Sequence, residues 1–74
     1  MYKNFQDDEY IKKLIEGKKK ILLTMNDART YQGIIVGMSH NSILFVDKFN
    51  QEIMFYMKDI RRILVLNGEV KKNG

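Results

Sequence analysis

The chain has 74 residues, no cysteine and one histidine, and 13 Lys and Arg residues against 9 Asp and Glu residues give it a net charge of +4. A chain of this length forms one domain at most and lies near the lower size limit for a self-sufficient hydrophobic core. Without cysteine a disulfide framework is excluded, and one histidine does not make a structural metal site. Self-association is therefore the expected source of additional stability, and the basic charge favours an anionic partner.

Residues 5–16 are predicted to form a short helix. Its apolar side chains recur at helical spacing in a single stripe: Tyr10, Ile11, Leu14 and Ile15. Asp7 or Asp8 is expected to cap the N-terminus, and Gly17, which is free to take a positive φ, is expected to end the helix. A helix this short is not stable alone, so it must pack against the rest of the chain.

Five β-prone runs follow the helix, at residues 20–25, 29–39, 42–46, 52–57 and 60–66. Their connections are too short for crossover helices, which excludes a parallel α/β sheet. Gly33 and Gly37 interrupt the second run and predict a bulge, a sharp bend or a close backbone approach. The expected fold is one mainly β domain over residues 1–74, with an N-terminal helix, a strongly bent five-stranded antiparallel sheet that forms a small open barrel, and a polar tail at 67–74.

Several of the predicted strands are apolar on both faces. Residues 43–46 and 63–66 contain only apolar side chains, and residues 53–56 nearly so. A sheet with one solvated face should instead alternate apolar and polar residues. We therefore expect the second face to be covered by the helix or by a neighbouring subunit, in an assembly joined edge to edge.

Catalytic chemistry has little support in the sequence. There is one imidazole, no thiol, no Gly-rich phosphate loop and no metal-ligand spacing, so we expect neither an enzyme nor a bound cofactor or metal. No apolar run is long enough for a membrane span, and the first eight residues lack the apolar core of a signal peptide. The expectation is a cytoplasmic protein without a membrane partner.

Two short connections carry polar residues of interest. His40 and Asn41 lie between two strands, where an imidazole can stack on a base and an amide can hydrogen-bond a base edge in both directions. A turn that simply favours Asn explains the same pair. Lys58 and Arg61 flank the second connection, where cations can hold phosphates or an ordinary turn can form.

Five lysines are clustered around the predicted end of the helix: Lys12, Lys13, Lys18, Lys19 and Lys20. They follow an acidic first turn, an order that complements the helix macrodipole without any ligand. The cluster is therefore either a solvated face or a basic rim for nucleic acid.

Three short segments follow one another along the chain: Phe5-Gln6-Asp7 at the helix start, Tyr31-Gln32-Gly33 on the long strand, and Met54 to Ile60 before the last strand. In this order the chain resembles the Sm-like superfamily, and within it the Hfq family of RNA chaperones, from Phe5 to Ile63. The resemblance implies a ring of identical subunits, a hexamer in Hfq, in which the fourth strand of one subunit pairs with the fifth of the next. It also implies binding of single-stranded, U-rich RNA around the pore and a role in post-transcriptional regulation.

The resemblance places a uridine pocket at four positions: Gln6, His40, Asn41 and Lys58. The lysine cluster would form a weaker basic rim, and Tyr56 would help to join subunits. Asn41 lacks the aromatic ring that stacks the base in Hfq, and Thr24 stands where Hfq has a tyrosine that stacks adenines, which disfavours A-rich binding. Two other interpretations stay open: a small SH3-like barrel that scaffolds proteins, and a double-stranded DNA binder that uses the lysine cluster.

Overall fold

A computed structural model describes residues 8–66 of the chain, in which one helix precedes five strands. The elements are α1 (Asp8–Glu16), β1 (Ile21–Met25), β2 (Thr30–Met38), β3 (Ser42–Asp47), β4 (Glu52–Tyr56) and β5 (Ile60–Val65), with a 3₁₀ helix at Met57–Asp59 between β4 and β5. The predicted mainly β fold, with one helix followed by five antiparallel strands, is confirmed. Gln6, Asp7 and the tail at 67–74 lie outside the described residues.

The sheet has the strand order β4-β3-β2-β1-β5, and every pair of neighbours is antiparallel. It is not closed, because β4 and β5 lie at its two edges. Among residues 8–66, each edge strand therefore has one side without a strand partner, which is the arrangement that invites pairing with another chain.

Two irregularities interrupt the ladders. The register shifts between Thr24 and Met25 where β1 meets β5, and between Ile35 and Gly37 where β2 meets β3. Such bulges bend a strand and increase its twist. Gly33 has a different role, because a Cβ there would overlap the carbonyl oxygen of Val46. Of the three predicted consequences of glycine in this strand, a close backbone approach occurs at Gly33 and a bulge lies beside Gly37.

The core lies between α1 and the sheet. Ile11 and Leu14 are the buried residues of the helix, and Tyr10 and Ile15 pack at the margin of the core, so the predicted apolar stripe is confirmed. The strands contribute the remaining fully buried large side chains: Ile21, Leu23, Ile35, Ile43 and Phe45. The short helix is stabilised by this packing rather than by its own hydrogen bonds.

The helix ends at Glu16 as predicted, but its left-handed residue lies one position after the predicted one. The Lys18 N–H donates to the Ile15 carbonyl at 3.1 Å and the Lys19 N–H donates to the Leu14 carbonyl at 3.1 Å, which is the bonding pattern of a Schellman motif. The left-handed residue of this motif is Lys18, with φ of 48°, and not Gly17. The prediction that the helix stops here is confirmed, but the prediction that Gly17 takes the positive φ is wrong.

Candidate nucleic-acid interface

The loop that carries His40 and Asn41 is short and tightly closed. It connects β2 to β3 through Ser39–Asn41, and the Ser39 N–H donates to the Ser42 carbonyl at 2.9 Å. Both His40 and Asn41 are exposed, whereas Ser42 at the start of β3 is buried. The scaffold thus holds the loop at its base while its two polar side chains are accessible to a ligand.

A backbone hydrogen bond brings this loop to Lys58. The Met57 N–H donates to the Asn41 carbonyl at 2.9 Å, and Met57 itself is buried in the core. The next residue, Lys58, has a side chain that is 81% exposed. Three of the four residues predicted for the uridine pocket, His40, Asn41 and Lys58, are therefore carried by two segments in direct contact. The fourth, Gln6, lies outside the described residues.

The 3₁₀ helix is also held from its other side, by the turn between β1 and β2. Asn26 donates from its backbone N–H to the Asp59 carbonyl at 2.8 Å and from its side-chain amide to the Lys58 carbonyl at 2.9 Å. The guanidinium of Arg61 donates to the Asn26 carbonyl at 3.0 Å. Arg61 thus braces the turn, which differs from the phosphate contact considered for it. Sequence reasoning missed Asn26, since a turn asparagine carries no signal for a contact so distant in the chain.

Lys58 and the lysines of the cluster defined above are mostly uncompensated. They lie at different places, because the Leu66 N–H donates to the Lys20 carbonyl at the end of β5, whereas Lys58 precedes the start of that strand. Lys58 lies 3.6 Å from the Asp59 carboxylate, in a pair so exposed that it is of little energetic value. All five lysines of the cluster defined above are exposed, and none has a carboxylate within ion-pair distance among residues 8–66. These charges are free to neutralise phosphates.

Arg29 differs from the lysines because it has partners of its own. It lies 3.4 Å from Asp27, and its pKa is raised by a side-chain hydrogen bond with Tyr31 and, to a lesser extent, by the charge of Asp27. The guanidinium is engaged within the β1–β2 turn, and Arg29 is not one of the four residues predicted for the pocket. Arg29 is accordingly a suitable control for substitutions in the candidate site.

The edge strands present apolar side chains on their outer faces. Tyr56 on β4 is 46% exposed and Met54 is 54% exposed, with Leu44 of β3 paired beside Met54. At the other edge, Leu64 of β5 is 47% exposed. The predicted cover of these faces is not supplied by α1 in the single chain. Tyr56, predicted at a subunit interface, is thus accessible to a partner.

A cleft of about 290 Å³ lies beside the β1–β2 turn and is lined in part by Arg29, Tyr31, Phe55 and Asp59. The rings of Tyr31 and Phe55 pack against each other with centroids 5.0 Å apart, so both aromatic residues have a structural role. Within residues 8–66 no three His, Cys, Asp or Glu side chains are grouped as a metal ion would need. The same part of the chain contains no helix long and apolar enough to cross a membrane.

Comparison with known proteins finds no family model that matches the sequence and no match among curated proteins. A functional assignment therefore depends on the geometry and chemistry of the residues described above.

Proposed function

We propose that this chain is an Sm-like protein that assembles into a ring and binds single-stranded, U-rich RNA. The observation that carries the proposal is the hydrogen bond from Met57 to Asn41, which places His40, Asn41 and Lys58 together. An imidazole can stack on a base, an amide can read its edge, and an ammonium group can bind a phosphate. The three side chains are thus complementary to three different parts of one nucleotide.

The form of the site favours an unpaired strand over a duplex. A protein reads duplex DNA by inserting a helix or a β-ribbon into the major groove, whereas single-stranded RNA offers bases that are free to enter small pockets between loops. The candidate site consists of one tight loop and one turn of 3₁₀ helix. The exposed lysines would add phosphate contacts, which contribute affinity without base selectivity.

The edge strands support the assembly part of the proposal. Pairing of β4 with β5 of the next subunit would satisfy both open edges at once and would cover Met54, Tyr56 and Leu64. A repeated pairing of two different edges is a head-to-tail contact, which closes into a ring when the rotation allows it. A hexamer is the subunit number that the resemblance to Hfq implies. Such an assembly would also supply the apolar burial that a chain of 74 residues needs.

RNA binding is tested by fluorescence anisotropy with labelled oligouridine and oligoadenosine at fixed salt. The wild-type chain should prefer uridine, and its affinity should fall as salt rises. His40→Ala should weaken binding by about 5- to 150-fold, the range for loss of one base-stacking contact. Arg29→Ala removes an exposed cation that is engaged within the β1–β2 turn, and it should change little. Equal losses in both variants would exclude the proposed pocket, and no binding to either RNA would favour the protein scaffold.

Assembly is tested by placing a charge on each edge. Met54→Lys and Leu64→Lys should each shift the oligomer towards the monomer in analytical ultracentrifugation, because lysine on an edge strand disfavours strand pairing. Val36→Lys is the matched control, since Val36 is 41% exposed on β2, a strand inside the sheet. If all three variants dissociate alike, or none does, the edges do not form the subunit contact.

A further inference from the structure

Phe49 is an exposed aromatic residue that neither the candidate site nor the sheet edges explain. Its exposed fraction is 73%, the highest among the large exposed apolar residues of the described chain. It lies in the turn between β3 and β4, at the end of β3 opposite to the loop of His40 and Asn41. Single exposed apolar residues are common on protein surfaces, so the case for a ligand at Phe49 depends on the groups around the ring.

The turn that carries Phe49 is held by four hydrogen bonds. The Asp47 N–H donates to the Gln51 carbonyl at 3.0 Å, and the Asn50 N–H donates to the Asp47 carbonyl at 2.9 Å. One carboxylate oxygen of Asp47 accepts the N–H groups of Phe49 and Gln51, both at 2.9 Å. Asn50 takes the left-handed conformation, with φ of 67°, which asparagine tolerates well. The aromatic ring is therefore presented on an ordered turn, and the Asp47 carboxylate is engaged within it.

A cleft of about 170 Å³ separates this turn from the outer face of β1 and β2. Leu22, Thr30 and Gln32 line it on the sheet side, and Lys48 and Phe49 line it on the turn side. The Lys48 ammonium group lies 5.5 Å from the centre of the Phe49 ring. The cleft thus combines a ring face, hydrogen-bonding amide and hydroxyl groups, and a cation. Asp47 lines it as well, but its carboxylate accepts two backbone N–H groups of the turn. It is smaller than the roughly 300–1,000 Å³ of a typical small-molecule pocket, and so suits one unit of a longer ligand.

We propose that Phe49 is a second base-stacking site for single-stranded RNA. An unpaired base would stack on the Phe49 ring with its edge towards Gln32 and Thr30, and the adjoining phosphate would lie near Lys48. The inference rests on the proposed RNA binding and adds a contact outside the uridine pocket. The combination of an aromatic ring, a cation and groups that read a base edge favours this occupant over an acidic or apolar peptide.

The two sites are separated by the length of β3. Six residues of strand span about 20 Å, so a short oligonucleotide would reach one site and a longer one would reach both. Varying the length of the oligonucleotide therefore provides a way to examine the second site without disturbing the first.

The first test uses Phe49→Trp, which preserves a stacking ring. The chain has no tryptophan, so the fluorescence of this variant reports on the turn alone. Addition of a 12-nucleotide oligouridine should quench the tryptophan emission in step with binding measured by anisotropy. Bound RNA without quenching would overturn the second site and leave the proposed function standing. Failure to bind RNA at all would overturn both.

The second test uses Phe49→Ala, which removes an exposed ring and leaves the core intact. Affinity for the 12-nucleotide RNA should fall by about 5- to 150-fold, the range for one stacked base, while a 4-nucleotide oligouridine should bind as before. Val36→Ala truncates another exposed apolar residue that does not line the cleft, and it should change neither affinity. Unchanged affinity of Phe49→Ala for both RNAs would overturn the inference.

Discussion

Gly33 and Gly37 lie on the same strand, and the structure predicts very different losses of stability when each is replaced by alanine. At Gly33 the new Cβ would overlap the Val46 carbonyl oxygen and lie 2.8 Å from the Asp47 Cα. Both obstacles are backbone atoms, so β2 and β3 would have to separate, at a cost of about 3 kcal/mol or more. At Gly37 the nearest atom is the Leu44 Cβ at 3.8 Å, an ordinary contact, and a change within about 0.5 kcal/mol is expected.

Urea denaturation followed by circular dichroism, at one fixed protein concentration, measures both free energies of unfolding. A chain of this length is expected to have about 4–11 kcal/mol of stability, so Gly33→Ala should remain measurable but far less stable. In thermal unfolding the same loss corresponds to a fall of about 10–25 °C. Equal stability losses in the two variants would refute the close approach of β2 and β3 at Gly33. A stable Gly33→Ala variant would refute it equally.

Substitutions at three further positions probe the turns, with urea denaturation as the common measurement. Lys18→Gly should stabilise the chain by about 0.5–1 kcal/mol, because relief of the left-handed strain exceeds the entropy that glycine adds to the unfolded state; a loss of stability would contradict the helix end described above. Asp47→Ala should destabilise it by about 1–2 kcal/mol, since two backbone N–H groups lose their acceptor, and Asp47→Asn should cost less. Asn26→Ala should cost about 0.5–1.5 kcal/mol and weaken RNA binding, as the support of Lys58 is lost; unchanged affinity would show that this support is dispensable.

The elements of the fold were largely predictable because their signals are local. The apolar stripe of the helix follows a period of 3.6 residues, and the turn residues between short apolar runs separate the strands. The strand bounds accordingly agree with the predictions to within one residue at each end. The 3₁₀ helix was expected only as a short connection between two strands, because Lys58 and Asp59 are equally compatible with an open turn. The choice of Lys18 over Gly17 as the left-handed residue likewise depends on which carbonyl each N–H reaches, a detail that residue type does not specify.

The candidate site was predictable only in its separate pieces. His40 and Asn41 stand out in a short loop and Lys58 in another, but their contact depends on one long-range hydrogen bond, between Met57 and Asn41. No sequence period reports such a bond, since it arises from the way in which β3 and β4 pair. Phe49 was missed as a candidate binding residue because its residue type alone does not give its exposure. An aromatic residue in a polar turn does not reveal whether its ring faces the core or solvent.

The position of the candidate site within the sheet links binding to assembly. Lys58 lies in the 3₁₀ helix that directly connects the two edge strands, β4 and β5. If those edges join neighbouring subunits, every subunit contact is continuous with a copy of the site, and copies recur at the interval of one subunit. RNA that reaches from one copy to the next would then stabilise the contact between them, and dilution to monomers would lower affinity by removing the adjacent sites. The open edges, which promote association of an isolated sheet with other chains, would in this way bring neighbouring sites together, so that individually weak nucleotide contacts act on one RNA.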